Sequence, residues 1–177
     1  PALRQWASYQ SRLPTSKEIK HWFLDCGYQA IGIVLGRISN PVVIDIDDSK
    51  QADKFSKLFP DLLDTLTIES GNRQLPHYYF RIPACKNVPS RRSSGIELRS
   101  DGQYVVAPGS VINGKCWKVT HDVKPKMLAE SDLKRLSAFF QLTIHNDKVN
   151  RVESYSSANI GYSDSVPQST NSVSESG

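Results

Sequence analysis

The chain has 177 residues and a formal net charge of +4, a length that suits one domain with a substantial core plus a tail. Cys26, Cys85 and Cys116 are odd in number and include no Cys-x-x-Cys pair, which argues against a zinc site or a disulfide framework and fits reduced thiols in a cytoplasmic protein. No apolar run approaches a membrane span, so no membrane partner is expected.

The charge is uneven. Arg151 stands against Glu153, Asp164 and Glu175 in the last stretch, so that stretch is net −2 and residues 1–150 carry +6, against +4 for the whole chain. A basic globular part fits a polyanionic partner.

In chain order, Thr15-Ser16-Lys17-Glu18 has the form of a capping box, followed by an apolar stripe of Ile19, Trp22 and Phe23, with Gly27 as a stop. Ile31 to Gly36 reads as a buried strand. Ser39-Asn40 is a turn, and Pro41 to Asp48 follows as a second strand, so the two are expected to form a hairpin. In the second strand Val42, Ile44 and Ile46 alternate with Val43, Asp45 and Asp47. Side chains two apart on a strand share a face, so Asp45 and Asp47 point the same way and repel unless a cation lies between them. Hard carboxylate oxygens suit Mg²⁺ or Mn²⁺. The plainer alternative ends the strand at Asp45 and makes the rest an acidic turn that caps the next helix. Both acids read as surplus to the core, so their removal is expected to leave the fold intact.

Lys50 to Phe59 reads as a helix with Ala52, Phe55, Leu58 and Phe59 inward and Pro60 as its stop. Thr65 to Glu69 is a strand, and Ser70 to Gln74 a polar loop. His77 to Ile82 alternates again, with His77, Tyr79 and Arg81 on one face. Pro83 to Ser94 reads as a basic connecting loop with Lys86, Arg91 and Arg92, either solvated or a place where phosphates can be held. Gly95 to Arg99 is a short strand with Glu97 and Arg99 on one side, the makings of a same-face ion pair. Asp101-Gly102 turns into a strand from Tyr104 to Ala107. Asn113-Gly114 marks a hairpin between Val111-Ile112 and the strand from Cys116. Ser131 to Gln141 is a last helix, with Leu133, Leu136, Phe139 and Phe140 inward. Trp6, Trp22 and Trp117 read as core or half-buried residues, and His21, His121 and His145 as solvated. Residues 150–177 lose all periodicity and are rich in serine, so they read as a flexible linker or disordered tail after a catalytic domain over 1–149. Many short strands with few helices, in no strict alternation, argue an α+β fold of small mixed or antiparallel sheets with flanking helices.

Three carboxylates, a histidine and an arginine at strand ends are the parts of a two-metal phosphoryl-transfer site. The motifs Val43-Ile44-Asp45-Ile46-Asp47, Ser70-Gly71 followed by His77-Tyr78-Tyr79-Phe80-Arg81, and Gly95-Ile96-Glu97-Leu98-Arg99 running on to Tyr104-Val105-Val106-Ala107-Pro108-Gly109-Ser110 occur in that order. With them the chain resembles the bifunctional primase–polymerase (prim-pol) domains of the archaeo-eukaryotic primase superfamily, over about Trp22 to Trp117. The resemblance implies an RRM-like catalytic core and template-directed nucleotidyl transfer, as DNA polymerase or primase, in the replication of a plasmid, phage or other mobile element. It implies Asp45, Asp47 and Glu97 as ligands of Mg²⁺ or Mn²⁺, His77 on the phosphates of the incoming nucleotide, and Ser70, Arg73 and Arg99 as further nucleotide contacts. The partners would be nucleoside triphosphates and a single-stranded DNA template or primer–template, with the domain a monomer inside a longer replication protein. The loop from Gly71 to His77 is longer than usual for the family, and Glu97 stands where many members have Asp. Other classes compatible with parts of the pattern are a metal-dependent glycosyltransferase, a metal nuclease, and a non-catalytic module that binds single strands.

Overall fold

The computed structural model describes residues 6–84 and 86–141. The expected tail over 150–177, and His145, lie outside them.

The sequence alternation at Val42 to Ile46 forms the centre of the molecule. Strand β2 (Pro41–Ile46) is buried along nearly its whole length. It pairs antiparallel with β4 (Pro76–Arg81) on one side and with β6 (Ile96–Arg99) on the other. Beyond β4 lie β3 (Thr67–Glu69) and then β10 (Lys118–His121), and beyond β6 lies the edge strand β5 (Arg91–Ser93). A short strand β11 (Lys126–Met127) continues the line of β3 along β4 and is the one parallel pairing described. A two-stranded sheet of β1 (Gly32–Val34) and β7 (Tyr104–Val106), and the hairpin of β8 (Val111–Ile112) and β9 (Lys115–Cys116), complete the strands. Mostly antiparallel sheets with few helices make this an α+β fold, as composition and periodicity indicate.

Helix α1 (Ser16–Lys20) begins with the expected capping box: Thr15 accepts from Glu18 N at 3.2 Å, and Glu18 accepts from Thr15 N at 2.7 Å. The chain continues as a π-helical turn through Asp25. Helix α2 (Ser49–Leu58) is capped by Asp48, whose side chain accepts from Gln51 N at 3.1 Å. Helix α3 covers residues 130–141.

The two faces of the large sheet are covered differently. One carries Val42, Ile44, Ile46, Phe80, Ile82, Ile96 and Leu98, packed against Phe55 and Phe59 of α2 and Leu136, Phe139 and Phe140 of α3. The rings of Phe55 and Phe59 stack at 4.9 Å, and Phe55 and Tyr78 at 5.5 Å. The other face is apolar only in part. There Val43, Ile68 and Tyr79 meet Leu35, Val105 and Trp117, which leaves the stretch around Asp45 to polar side chains.

Four expectations change. Strand β1 does not form a hairpin with β2; it pairs with β7, Gly32 opposite Val106 and Val34 opposite Tyr104. The left-handed residues Gly36 (φ 82°) and Asn40 (φ 65°) redirect the connection, and β1 is half-exposed rather than buried. Arg91 and Arg92 are not in a loop but on β5, joined to β6 by the two-residue turn Ser94-Gly95. Leu58 is exposed because α2 ends there and the chain turns at Phe59 (φ −131°, ψ 50°). Strand β11 has too few residues to show a period.

Phe55 is fully buried at the meeting of α2, α3 and the sheet. Phe55→Ala is expected to cost about 3–5 kcal/mol, read from urea unfolding curves at neutral pH; a loss under about 1 kcal/mol would show that this aromatic cluster does not carry the core.

Candidate active site

Register places the site. Asp45 on β2 lies directly opposite His77 on β4 and directly opposite Glu97 on β6, and Glu97 lies opposite Arg92 on β5. Directly paired residues of antiparallel strands share a face. Four strands therefore present His77, Asp45, Glu97 and Arg92 in one row. Arg99, two residues beyond Glu97, stands on the same face beside Val43.

The row is tied by charge. His77 Nε2 lies 2.8 Å from Asp45 Oδ1, and Arg99 Nε lies 2.5 Å from Asp45 Oδ2. Both contacts are close but poorly aligned as directed hydrogen bonds. Arg99 Nη2 also reaches Glu97 Oε2 at 3.1 Å, and Arg92 Nε sits on Glu97 Oε1. Asp45, His77 and Glu97 are all buried. Burial pushes the Asp45 carboxyl up, but His77 and Arg99 beside it outweigh that and hold it below the usual carboxylate range. The buried Nδ1 of His77 has no hydrogen-bond partner among the described residues.

Asp47 is arranged differently. Strand β2 ends at Ile46, and Asp47 N donates to Gly95 O at 2.8 Å. Gly95 has φ +73°, and a Cβ there would lie 2.5 Å from Asp48 Cβ, so a side chain would break this close approach. The Asp47 carboxylate pairs with Arg73 Nε at 3.2 Å, while Arg73 Nη1 donates to Asp47 O at 2.9 Å. Arg73 comes from the loop between β3 and β4. That loop is closed by Ser70 N to Leu75 O (3.0 Å) and Gln74 N to Ser70 O (2.9 Å), and it rests on Trp117 where Gly71 leaves no room for a Cβ. Ser70 is buried, and its hydroxyl accepts from Arg73 N at 3.4 Å.

A polar pocket of about 340 Å³ opens at this end of the sheet. Its walls include Asp47, Arg73, Arg92, Gly95 and Glu97; Asp45, His77, Arg99 and Ser70 are not among its lining residues. The described part thus joins Asp45, His77, Glu97 and Arg99 in one buried network and sets Asp47 with Arg73 at a pocket that Glu97 also lines. Among the described residues no three His, Cys, Asp or Glu side chains stand close enough together to hold a metal ion; their carboxylates are turned to guanidinium groups instead.

These features lie inside one family match. The description "Bifunctional DNA primase/polymerase, N-terminal" (Prim-Pol) fits residues 1–131. The chain belongs to the Prim-Pol family. Comparison with curated proteins found no match. For a Prim-Pol domain the general activity is DNA primase or polymerase nucleotidyl transfer, with nucleotide and DNA as what it binds. No helix among the described residues of this Prim-Pol domain is long and apolar enough to cross a membrane.

Sequence reasoning placed Arg92 in a phosphate-holding or solvated loop and missed its place beside Glu97. The signal was present: Ser94-Gly95 is a two-residue turn between Arg91-Arg92-Ser93 and the Glu97 strand, which reads as a hairpin. Tyr79, on the His77 face, belongs to the apolar cluster, and its hydroxyl donates to Val106 O at 3.4 Å. The view of both acids as surplus to the core holds for the half-exposed Asp47 but not for Asp45, which is buried between His77 and Arg99.

Asp45→Asn is therefore expected to destabilise the fold by of order 3 kcal/mol at neutral pH, since breaking a buried pair leaves charge uncompensated. Because the folded pKa of Asp45 lies below its unfolded value of about 3.9, its contribution is complete above that value and fades as pH falls through the folded one. Urea unfolding of both proteins from pH 7 to pH 2 should show the gap closing on the acid limb. A gap that stays constant to pH 2 would refute the ion-pair account.

Proposed function

We propose that this domain carries out template-directed nucleotidyl transfer, as DNA polymerase, primase or both, at the end of the sheet where the pocket opens. The carrying observation is the row His77–Asp45–Glu97 across three paired strands, beside a pocket walled by Asp47, Arg73 and Arg92.

Asp45, Asp47 and Glu97 would hold Mg²⁺ or Mn²⁺. The donor set suits these hard cations, and the guanidinium groups of Arg73, Arg92 and Arg99 already stand against all three carboxylates. Bound there, such ions neutralise a triphosphate and lower the pKa of an attacking hydroxyl. His77, in the row with Asp45 and Glu97, would contact a phosphate of the incoming nucleotide, as the family resemblance implies. Arg73 and Arg99 would add charge-assisted contacts to it. Ser70 would serve by holding the loop that carries Arg73.

The reading extends to the rest of the chain. It takes residues 1–149 as the catalytic domain, with an RRM-like core of the archaeo-eukaryotic primase type. Antiparallel central strands with α2 and α3 packed on one face support that core. Residues 150–177 would be a linker inside a longer, cytoplasmic replication protein of a plasmid, phage or other mobile element, and the domain would act as a monomer. A single-stranded template or primer–template would be its DNA partner. A sugar-nucleotide transferase built on the two aspartates leaves His77, Glu97 and Arg99 without a role.

The test is to incubate the protein with primer–template, Mg²⁺ or Mn²⁺, and deoxynucleotides or ribonucleotides, and to look for extension, cleavage or neither. Extension supports the proposal; cleavage alone makes the domain a nuclease, and neither product overturns the assignment. Asp47→Ala should abolish extension and leave the melting temperature within about 4 °C, because an exposed ion pair is worth about 0–1 kcal/mol. Retained extension in that variant would remove Asp47 from the site.

DNA affinity should fall with salt, with a slope near −0.7 per phosphate contact on single strands. His77→Ala should cut nucleotide efficiency about tenfold to a hundredfold, the worth of one charged hydrogen bond, while template affinity holds. Equal efficiency in the two proteins would take His77 out of the nucleotide site.

A further inference from the structure

The arginines on the acids are not equivalent. Arg99 bridges Asp45 and Glu97, and its side chain is 25% exposed. Without it two buried carboxylates would face each other across paired strands. Arg92 holds the other oxygen of Glu97 from the edge strand, with a side chain 79% exposed. Arg73 holds Asp47 with a side chain 60% exposed. Arg92 and Arg73 both line the pocket; Arg99 does not. An exposed pair is worth little and costs little to open, so Arg92 can leave Glu97 where Arg99 cannot leave without stranding buried charge.

Charge balance says when it would leave. Asp45, Asp47 and Glu97 face Arg73, Arg92 and Arg99, so these three acids and three guanidinium groups cancel, and Asp48, which caps α2, adds one acid at the pocket wall. Two divalent cations alone would load such a site with excess positive charge. Two cations together with a triphosphate, which carries about four negative charges near neutral pH, add almost none.

Resting on the nucleotidyl-transfer reading, we propose that Arg92 is a transferable phosphate-binding residue. In the free protein it neutralises Glu97. When Glu97 exchanges it for a divalent cation, its guanidinium, on a freely exposed stem at the pocket wall, takes the phosphates of the nucleotide. Its planar fork suits phosphate oxygens in a way that a lysine does not match. Cation and nucleotide therefore bind this site as coupled partners, each improving the other's affinity by the same factor.

Binding measurements without template or turnover test this. Mn²⁺ alone is titrated into the unaltered protein, Arg92→Gln, Arg92→Lys and a surface control, Arg81→Gln, by calorimetry. A non-hydrolysable deoxynucleoside triphosphate analogue is then titrated in the presence of Mn²⁺. Arg92→Gln should bind Mn²⁺ alone up to about fivefold more tightly, since one competing exposed ion pair is gone. It should bind the nucleotide about tenfold or more weakly. Arg92→Lys should lie between, and Arg81→Gln should match the unaltered protein. Unchanged affinities in Arg92→Gln would overturn the inference and leave nucleotidyl transfer standing. Weaker Mn²⁺ binding would also overturn it, by making Arg92 a prop for Glu97, as would an equal nucleotide loss in Arg81→Gln, by reducing the effect to net charge. Failure of the unaltered protein to bind Mn²⁺ and nucleotide would overturn both readings.

Discussion

The contact on which the site depends is Arg99 between Asp45 and Glu97 (2.5 Å and 3.1 Å). Sheet register alone would put these two carboxylates side by side, directly opposed on β2 and β6 and shut away from water. Like charges opposed in that way destabilise a strand pair, and a buried charge without a partner costs more still. A guanidinium with donors spread over a planar fork can serve two acids at once, which a point ammonium cannot do as well. With His77 on the far side of Asp45, the central strand carries its acid into the interior and remains paired along both edges.

The sheet can carry a polar patch on one face because the centre of the other is apolar. Val42, Ile44 and Ile46 are fully buried against α2 and α3. On the site face the second cluster stops at Val43, Tyr79 and Ile68. That boundary also holds the accessory parts. Trp117 of this cluster supports the loop bearing Ser70 and Arg73, and Val105 places β7 and its partner β1 over the sheet. The core that stabilises the fold is therefore continuous with the props that hold Arg73 near Asp47.

What was legible in the sequence was local. The alternation at Val42 to Ile46, the capping box at Thr15, the Asn113-Gly114 turn with both residues at positive φ, and the inward face of 130–141 are each set by neighbours within a few positions. What was not legible was pairing at a distance. Nothing near Gly32 to Val34 tells whether its partner is the next strand or Tyr104 to Val106, since loop closure over such lengths differs by only about 1–2 kcal/mol. Burial of Asp45 was hidden for the same reason. An aspartate reads as a surface residue until the partners that offset its burial are known, and those, His77 and Arg99, come from β4 and β6.

The Asp-x-Asp spacing illustrates the limit of a periodic reading. Period two puts Asp45 and Asp47 on one face, as if they were equivalent. The strand, however, ends between them at Ile46, and Gly95, with its left-handed backbone, brings the turn against Asp47 and Asp48. Asp45 stays in the ladder and is locked by buried partners. Asp47 emerges at the pocket with its carboxylate on the exposed Arg73, and Asp48 turns to cap α2. Three acids within four residues thus meet three environments, one inside the sheet, one at the pocket and one on a helix end. That division leaves the site a rigid half, made by strand register, and a half whose exposed ion pairs can be exchanged at low cost.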